Sequence, residues 1–93
     1  MRSGVTWKIE FERSAAREFR WLDPKVQRRI REFFQQRVLP AEHPRVSGKP
    51  LRGKHAELWR YRIGDYRVVV EIQDQYLLIL IVRVGHRGEI YRN

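Results

Sequence analysis

The side chains able to do chemistry in this sequence are mostly cations, joined by one phenol and one imidazole near its end. RNA cleavage by the RNA's own 2′-hydroxyl needs a base for that hydroxyl, cations for the phosphate and a proton donor for the leaving oxygen. These residue types match that reaction, which requires no metal ion. Paired carboxylates, a Ser/His/Asp set and a phosphate-binding glycine loop are missing from the sequence. The candidates are Arg60, Arg67, His86, Arg87 and Tyr91.

Each candidate suits a different part of that reaction. A free tyrosine titrates near pH 10 and is a poor base at neutral pH. Neighbouring cations favour the phenolate, so the residues around Tyr91 determine whether it can act as a base. Arg67 and Arg87 offer forked donors that match phosphate oxygens. His86 is the candidate whose side chain ordinarily titrates near neutrality. Structural alternatives stay open at this point, since Tyr91 could only pack the tail and His86 could be a solvated loop residue.

An alternating apolar stretch on both sides of Gly64 and Asp65 predicts a β-hairpin with those two residues in the turn. The resulting register sets Arg62 directly against Arg67, with Arg60 beside them on the face away from the aromatic residues. Opposed like charges destabilise a strand pair. We therefore expect Arg67 on a solvent-facing surface where a polyanion would compensate the charge.

The composition supports a nucleic-acid partner. The 93-residue chain has 20 Lys and Arg against 11 Asp and Glu, a net charge of +9. A merely soluble basic protein is the alternative. Without cysteine, disulfides and thiolate zinc sites are excluded, and three scattered histidines do not suggest a metal site. We predict no cofactor, no membrane association and a cytoplasmic location. The residues assigned to RNA binding are Lys49, Arg52, Lys54 and Arg62.

The order of elements predicts an α+β fold of the form β-α-α-β-β-β. Ser14 is the expected cap of the first helix, and Asp23 followed by Pro24 is typical of the start of the second. Residues 40–55 are predicted to be a loop because they contain three prolines, two glycines and no apolar period. The run Leu77–Val84 is apolar enough for a central strand. We expect two layers, with both helices on one face of a four-stranded antiparallel sheet of order 1-4-3-2.

The chain resembles the RelE/ParE superfamily of bacterial and archaeal toxins over nearly its whole length. The most specific similarities lie in Lys49–Gly53, Leu58–Val68 and Val84–Arg87, followed by Ile90 and Tyr91. The resemblance implies a single RelE-like toxin domain over residues 1–93. RelE toxins are ribosome-dependent mRNA endonucleases, whereas ParE relatives share the fold, inhibit DNA gyrase and lack the catalytic set.

The resemblance also implies roles for individual residues. Arg67 matches the hairpin arginine that stabilises charge on the scissile phosphate. Arg87 matches an arginine assigned to phosphate or leaving-group stabilisation, and Tyr91 matches the tyrosine proposed as general base. His86 stands where some members have lysine and others histidine. Together these matches favour the nuclease branch.

One position departs from the family pattern. Arg60 stands where the best-known members have the second of two strand lysines, whereas the first falls at Leu58. A missing cation there implies a smaller decrease in the pKa of Tyr91 and a slower reaction at neutral pH.

The implied partners follow from the same resemblance. They are an acidic, RelB-like antitoxin, the ribosomal A site with its mRNA, and operator DNA bound through the toxin–antitoxin complex. Leu78, Leu80 and Val82, or the alternate set of residues in the same strand, are expected to contact the antitoxin. A non-catalytic gyrase inhibitor of the ParE kind, or a basic RNA-binding module, is the alternative function.

Overall fold

A five-stranded sheet with helices on one face forms the framework of the molecule. The computed structural model describes residues 6–51 and 58–90. The strand order is β1-β5-β4-β3-β2, which keeps the predicted order and adds a short strand at one edge. The strands are β1 Lys8–Phe11, β2 Lys49–Pro50, β3 Leu58–Ile63, β4 Tyr66–Gln73 and β5 Leu78–His86. The helices are α1 Arg13–Arg20, α2 Pro24–Phe33 and α3 Arg87–Ile90, with a π-helical turn at Phe34–Val38 and 3₁₀ turns at Pro44–Ser47 and Asp74–Tyr76.

The prediction of a wholly antiparallel four-stranded sheet is wrong. β1 pairs parallel to β5, with Lys8 opposite Leu78 and Phe11 opposite Ile81. The cause is β2, which lies in the segment predicted to be a loop and pairs antiparallel with β3. This extra strand adds one chain reversal between β1 and β3, so β1, β3 and β5 all run in the same direction. The prediction of two helices is also incomplete, because α3 follows β5 as a third.

The two predicted helix starts have different outcomes. Asp23 caps α2 as expected, since its carboxylate accepts a hydrogen bond of 2.9 Å from the Lys25 backbone N–H and Pro24 is the first helical residue. Ser14 does not cap α1. Its hydroxyl donates to the Glu12 carboxylate at 2.9 Å, and the helix already begins at Arg13.

The hydrophobic core lies between α1, α2 and the inner face of the sheet. Tyr61 is completely buried, and its hydroxyl donates a 2.6 Å hydrogen bond to the Pro44 carbonyl. That bond ties the 3₁₀ turn before β2 to the middle of β3. The buried core residues are Ala15, Phe19, Ile30, Phe34, Val38, Tyr61, Ile63, Val68, Val70, Ile72, Ile79, Ile81 and Val84.

The other side of the sheet, which we call the open face, is only partly covered. The register between β4 and β5 shifts at Val69 and Val70, leaving Val82 as an extra residue in β5. Ile90 of α3 is 6% exposed, and a β-carbon at Gly85 would lie 3.3 Å from its Cδ1, so α3 covers this face near the end of β5. Among the described residues, no helix is long and apolar enough to cross a bilayer.

Candidate functional site

The predicted hairpin register is confirmed residue by residue. Ile63 pairs with Tyr66 and Arg62 with Arg67, while Gly64 has a φ of +61° in the turn. That left-handed conformation suits glycine, which has no β-carbon to clash with the backbone. The turn is therefore fixed by the sequence at the position where the two arginines face each other.

The end of β5 lies beside this turn, and together they form what we call the hairpin corner, residues 64–67 and 85–87. Arg67 pairs with Gly85 and Tyr66 with His86. The Arg87 backbone N–H donates a 2.8 Å hydrogen bond to the carbonyl of Asp65. The register thus brings the backbone of Arg67 close to those of His86 and Arg87, which are distant from it in sequence. Since Arg67 pairs with Gly85 and Tyr66 with His86, the side chains of Arg67 and His86 leave the sheet on opposite faces.

Arg67 is not on a solvent-facing surface as predicted, since only 5% of it is exposed. Its Nη1 donates hydrogen bonds to the carbonyls of Gly64 (3.0 Å) and Tyr66 (2.9 Å). The side chain folds back over its own turn, and Ile90 packs on the same face beside it. Its Nε is buried without a hydrogen-bond partner among the described residues. The guanidinium is therefore held in one orientation by two backbone carbonyls.

His86 and Arg87 are both exposed at the corner. The His86 ring packs edge-on against Tyr66, with centroids 5.6 Å apart. Its Nδ1 accepts a 3.3 Å hydrogen bond from the Gly88 backbone N–H. In the neutral ring this places the proton on Nε2, so Nε2–H is the hydrogen-bond donor that the exposed ring presents. Arg87 is the first residue of α3.

Three predicted site residues, Arg52, Lys54 and Tyr91, lie outside the described residues, so their assignments stay predictions. Leu58, at the position of the missing lysine, pairs directly with Glu71 of β4. A lysine introduced at residue 58 would therefore meet a carboxylate across the strand pair. The described residues contain no group of three or more potential metal ligands close enough to hold an ion.

The remaining predicted cations lie at the β2 edge of the sheet, beside a cleft of about 360 Å³. Lys49 is directly opposite Arg60, which is half-buried, and Arg62 is the next residue of β3 on the same face. We call this the basic cleft. Its lining residues are Phe33, Arg37, Val46, Ser47, Gly48, Lys49, Arg60 and Arg62.

Two arginines near these sites were not among the predicted site residues. Arg37 lines the basic cleft from the π-helical turn. Arg29 of α2 lies over the hairpin turn, because a β-carbon on Gly64 would be 3.2 Å from its Nη1. Both belong to an arginine-rich helical surface for which a solvated face is the commoner explanation from sequence. Only the tertiary packing distinguishes them from the other arginines of this helical region.

A third arginine, Arg45, has a structural rather than a chemical position. Its Nη2 and Nη1 donate to the Asp74 carboxylate at 2.8 and 3.0 Å, and its guanidinium lies 5.5 Å from the centre of the Trp59 ring. His43 Nε2 lies 3.1 Å from the same carboxylate. The hydrogen bonds from Arg45 and His43 lower the pKa of Asp74 to about 2. We call His43, Arg45 and Asp74 the clasp.

The fold and the register of these residues can be compared with known proteins. The family model of the ParE toxin of type II toxin–antitoxin systems, parDE, matches residues 5–91. The chain belongs to this toxin family. The resemblance to the RelE/ParE superfamily is thereby confirmed, and the protein is a toxin of a type II toxin–antitoxin system.

Relatives of this toxin include members named for RelE. It is 33% identical over 88 residues to the toxin RelG of Mycobacterium tuberculosis, covering 95% of this chain and 99% of RelG. It is 26% identical over 90 residues to the mRNA interferase toxin RelE of Escherichia coli K12, covering 94% and 92% of the two chains. The crystal structure of the M. tuberculosis toxin–antitoxin complex RelBE2 superposes with a TM-score of 0.79 at 29% identity, covering 96% of this toxin and all of that chain.

Proposed function

We propose that this toxin is a ribosome-dependent, metal-independent endoribonuclease that cuts mRNA and so inhibits translation. The observation that supports this most directly is the register of the hairpin corner, which brings Arg67 of β4 next to the end of β5, where Arg87 begins α3. A relative of similar length is named an mRNA interferase.

The proposed reaction uses side chains alone. Tyr91 accepts the proton of the 2′-hydroxyl, and the 2′-oxygen attacks the adjacent phosphorus. Arg67 and Arg87 stabilise the negative charge that develops on the phosphate oxygens. The 5′-oxygen leaves with a proton from the imidazolium form of His86, which becomes neutral imidazole. The products are a 2′,3′-cyclic phosphate and a 5′-hydroxyl, so no water and no metal ion enters the step.

The buried position of Arg67 fits this role in a specific way. Both bonds to the backbone carbonyls come from Nη1, while Nε and Nη2 carry the remaining N–H groups of the fork. Donors held in place before the reaction need no reorganisation when charge develops. Arg60, half-buried in the neighbouring strand, adds positive charge to the same face.

We also propose that an acidic, RelB-like antitoxin restrains this toxin. RelBE2, its structural relative, was solved as a toxin–antitoxin complex. In β5, Ile79 and Ile81 belong to the core, so half-buried Leu78 and Leu80 lie on the open face and suit such a contact. The other proposed partners are the ribosomal A site with its mRNA, and operator DNA through the toxin–antitoxin complex.

Toeprinting on ribosomes tests the enzyme directly. The toxin is added to ribosomes programmed with a defined mRNA and to the same mRNA without ribosomes, in each case either untreated or after treatment with EDTA that is removed by dialysis before mixing. We expect cleavage within the A-site codon only when ribosomes are present, at the same rate for treated and untreated toxin, with 2′,3′-cyclic phosphate ends. Equal cleavage of free mRNA would contradict the ribosome dependence, and loss of cleavage by the EDTA-treated toxin would contradict the metal independence.

A second candidate function is inhibition of DNA gyrase without catalysis. Its support is the ParE description of the family model that matches this chain, together with leucine at residue 58. A supercoiling assay separates the two candidates. A toxin that leaves mRNA intact on ribosomes but blocks gyrase at equal concentration would replace the nuclease proposal with this one.

A further inference from the structure

Four cations line the basic cleft, and its described lining residues include no carboxylate. One contact between strands at its edge sets like charges together, Arg62 against Arg67. Such a pair opposes folding. An anion bound beside Arg62 would offset this repulsion.

The π-helical turn at the end of α2 helps to build this cleft. The Leu39 backbone N–H donates to the Phe34 carbonyl at 2.9 Å, five residues earlier, instead of to the usual carbonyl four residues earlier. The Arg37 carbonyl accepts a 3.0 Å hydrogen bond from the Ser47 hydroxyl. That bond fixes the π-helical turn against the 3₁₀ turn that forms the other wall. Single π-helical turns of this kind are frequent at functional sites.

Phe33 gives the cleft a fixed aromatic wall. Its half-buried ring packs edge-on against Phe34 and Tyr61, with centroids 6.0 and 5.7 Å away. Proteins that bind single-stranded nucleic acid combine a cationic groove for the backbone with aromatic rings against which bases stack. The basic cleft has both features, with four cations and the Phe33 ring among its lining residues.

The cleft is also continuous with the hairpin corner. Arg62 pairs with Arg67, and Arg67 pairs with Gly85, so one row crosses the sheet from β3 to β5. Neighbouring strands are about 4.8 Å apart, which places the two ends of this row roughly 10 Å apart. A nucleic-acid strand that leaves the cleft over the exposed Arg62 would therefore come within about 10 Å of the corner.

We propose that the basic cleft binds the backbone of single-stranded RNA next to the bond held at the hairpin corner. Arg37 is a phosphate-binding residue of this site, and Phe33 is the wall for the attached base. The inference rests on the proposed function for the identity of the bond at the corner. The binding site itself makes no assumption about cleavage.

The experiment measures binding of a fluorescein-labelled 2′-O-methyl oligouridylate of twelve nucleotides, which has no free 2′-hydroxyl and cannot be cut. Fluorescence anisotropy gives Kd at several salt concentrations from 50 to 200 mM for wild type, Arg37→Gln and Arg28→Gln. Arg28 is an exposed arginine of α2 outside the cleft, so both variants lose one charge from the same helical region. Arg37→Gln leaves the carbonyl that accepts from Ser47 unchanged.

We expect the slope of log K against log salt to decrease in magnitude by about 0.7 in Arg37→Gln, and to stay near the wild-type value in Arg28→Gln. Over that fourfold rise in salt, wild type should then lose about 2.6-fold more affinity than Arg37→Gln. Equal slopes for the two variants would overturn the proposal. So would displacement of the RNA by polyglutamate as readily as by unlabelled oligouridylate, since the cleft would then be a general acidic-polymer site.

The result is separable from the fate of the nuclease. If the slopes differ as expected but programmed ribosomes show no cleavage, the RNA site stands and the proposed reaction is wrong. If ribosomes show cleavage but the slopes are equal, the reaction stands and the cleft has no part in binding RNA.

Discussion

Arg45 and Arg67 both hold a turn in place, but they do so by opposite means. In the clasp, Arg45 forms a two-pronged ion pair with Asp74, far away in sequence. At the hairpin corner, Arg67 bonds to backbone carbonyls of its own turn and faces another arginine. Among the described residues, neither Arg62 nor Arg67 forms an ion pair within 4.0 Å, whereas Arg45 and Arg83 do.

The difference separates structural from functional positive charge. Where an arginine joins two distant segments, this chain supplies a carboxylate to match it. Where Arg62 faces Arg67 at the hairpin corner, the described residues supply a like charge instead. A chain with a net charge of +9 could have reduced that repulsion by placing these cations elsewhere. We infer that the unmatched charge serves an anionic ligand, and the following predictions test this.

The largest effect is expected at Tyr91, the residue proposed to act as the general base. Tyr91→Phe removes one hydroxyl and keeps the ring, so the general base is lost with little change in shape. Single-turnover cleavage on programmed ribosomes should decrease by about 10²–10⁴-fold. Co-sedimentation with ribosomes should be unchanged and serves as the control. Cleavage at the wild-type rate would mean that the phenol has only a packing role.

Replacement by alanine should affect cleavage strongly at Arg67 and only slightly at Arg45. Arg67→Ala removes a phosphate-binding donor, and the loss of one such donor typically costs about 10²–10³-fold in kcat. Arg45→Ala should leave cleavage within about threefold of wild type. Its effect should appear instead as a decrease in the free energy of unfolding of about 1–2 kcal/mol, from the ion pair and the contact with Trp59.

Urea unfolding of both variants provides the control. Each hydrogen bond that Arg67 makes contributes about 1 kcal/mol, so Arg67→Ala should remain folded although the side chain is buried. Arg67→Lys keeps the charge without the fork and should recover only part of the rate. If Arg45→Ala slowed cleavage as much as Arg67→Ala, the distinction between the clasp and the corner would fail.

A smaller effect is expected from restoring the cation that is missing at residue 58. Leu58→Lys should raise the cleavage rate at pH 7 by a few-fold, since an added positive charge favours the phenolate of the proposed base. Because Glu71 lies directly opposite, part of the new charge should be neutralised. Leu58→Lys combined with Glu71→Gln should therefore be faster than Leu58→Lys alone. An unchanged rate in both would show that this position does not influence the corner.

The sequence predicts most of the hairpin corner because local rules determine it. A glycine and an aspartate between alternating strands specify a two-residue turn, and that turn determines which arginines face each other. The order of the four long strands follows from the apolar character of β5, which needs neighbours on both sides. The family motifs then point to Arg67, His86 and Arg87 as one site.

What could not be predicted depends on contacts between distant segments. β2 consists of two residues, too few to show an alternating pattern. It nevertheless adds one chain reversal, so each later strand runs opposite to its predicted direction relative to β1. Alternation assigns Arg67 to a face but does not show that its guanidinium bends back onto the turn. The partnership of Arg45 with Asp74 joins two loops, and nothing local marks either residue.

The smallest predicted effect concerns the clasp and its response to acid. The pKa of Asp74 is lowered from 3.8 to about 2 by hydrogen bonds from Arg45 and His43. A carboxylate with a lower pKa in the folded state than in the unfolded state stabilises the protein above about pH 4, and this contribution is lost as the pH falls towards 2. The Asp74 side chain is 54% exposed, so solvent screening limits the contribution to that of a surface pair, about 0.2–1 kcal/mol.

Asp74→Asn should therefore lower the free energy of unfolding by that amount at pH 6, and the difference from wild type should shrink between pH 4 and pH 2. Urea unfolding at each pH measures it. A double-mutant cycle with Arg45→Ala identifies the source, because Asp74→Asn should cost much less once its main partner is absent. Cleavage on ribosomes at neutral pH should stay near wild type in Asp74→Asn, since the clasp is far from the corner in the register of the sheet. A cleavage rate that fell with the stability would mean that the clasp also positions the hairpin corner, and that the paired and unpaired arginines act as one unit.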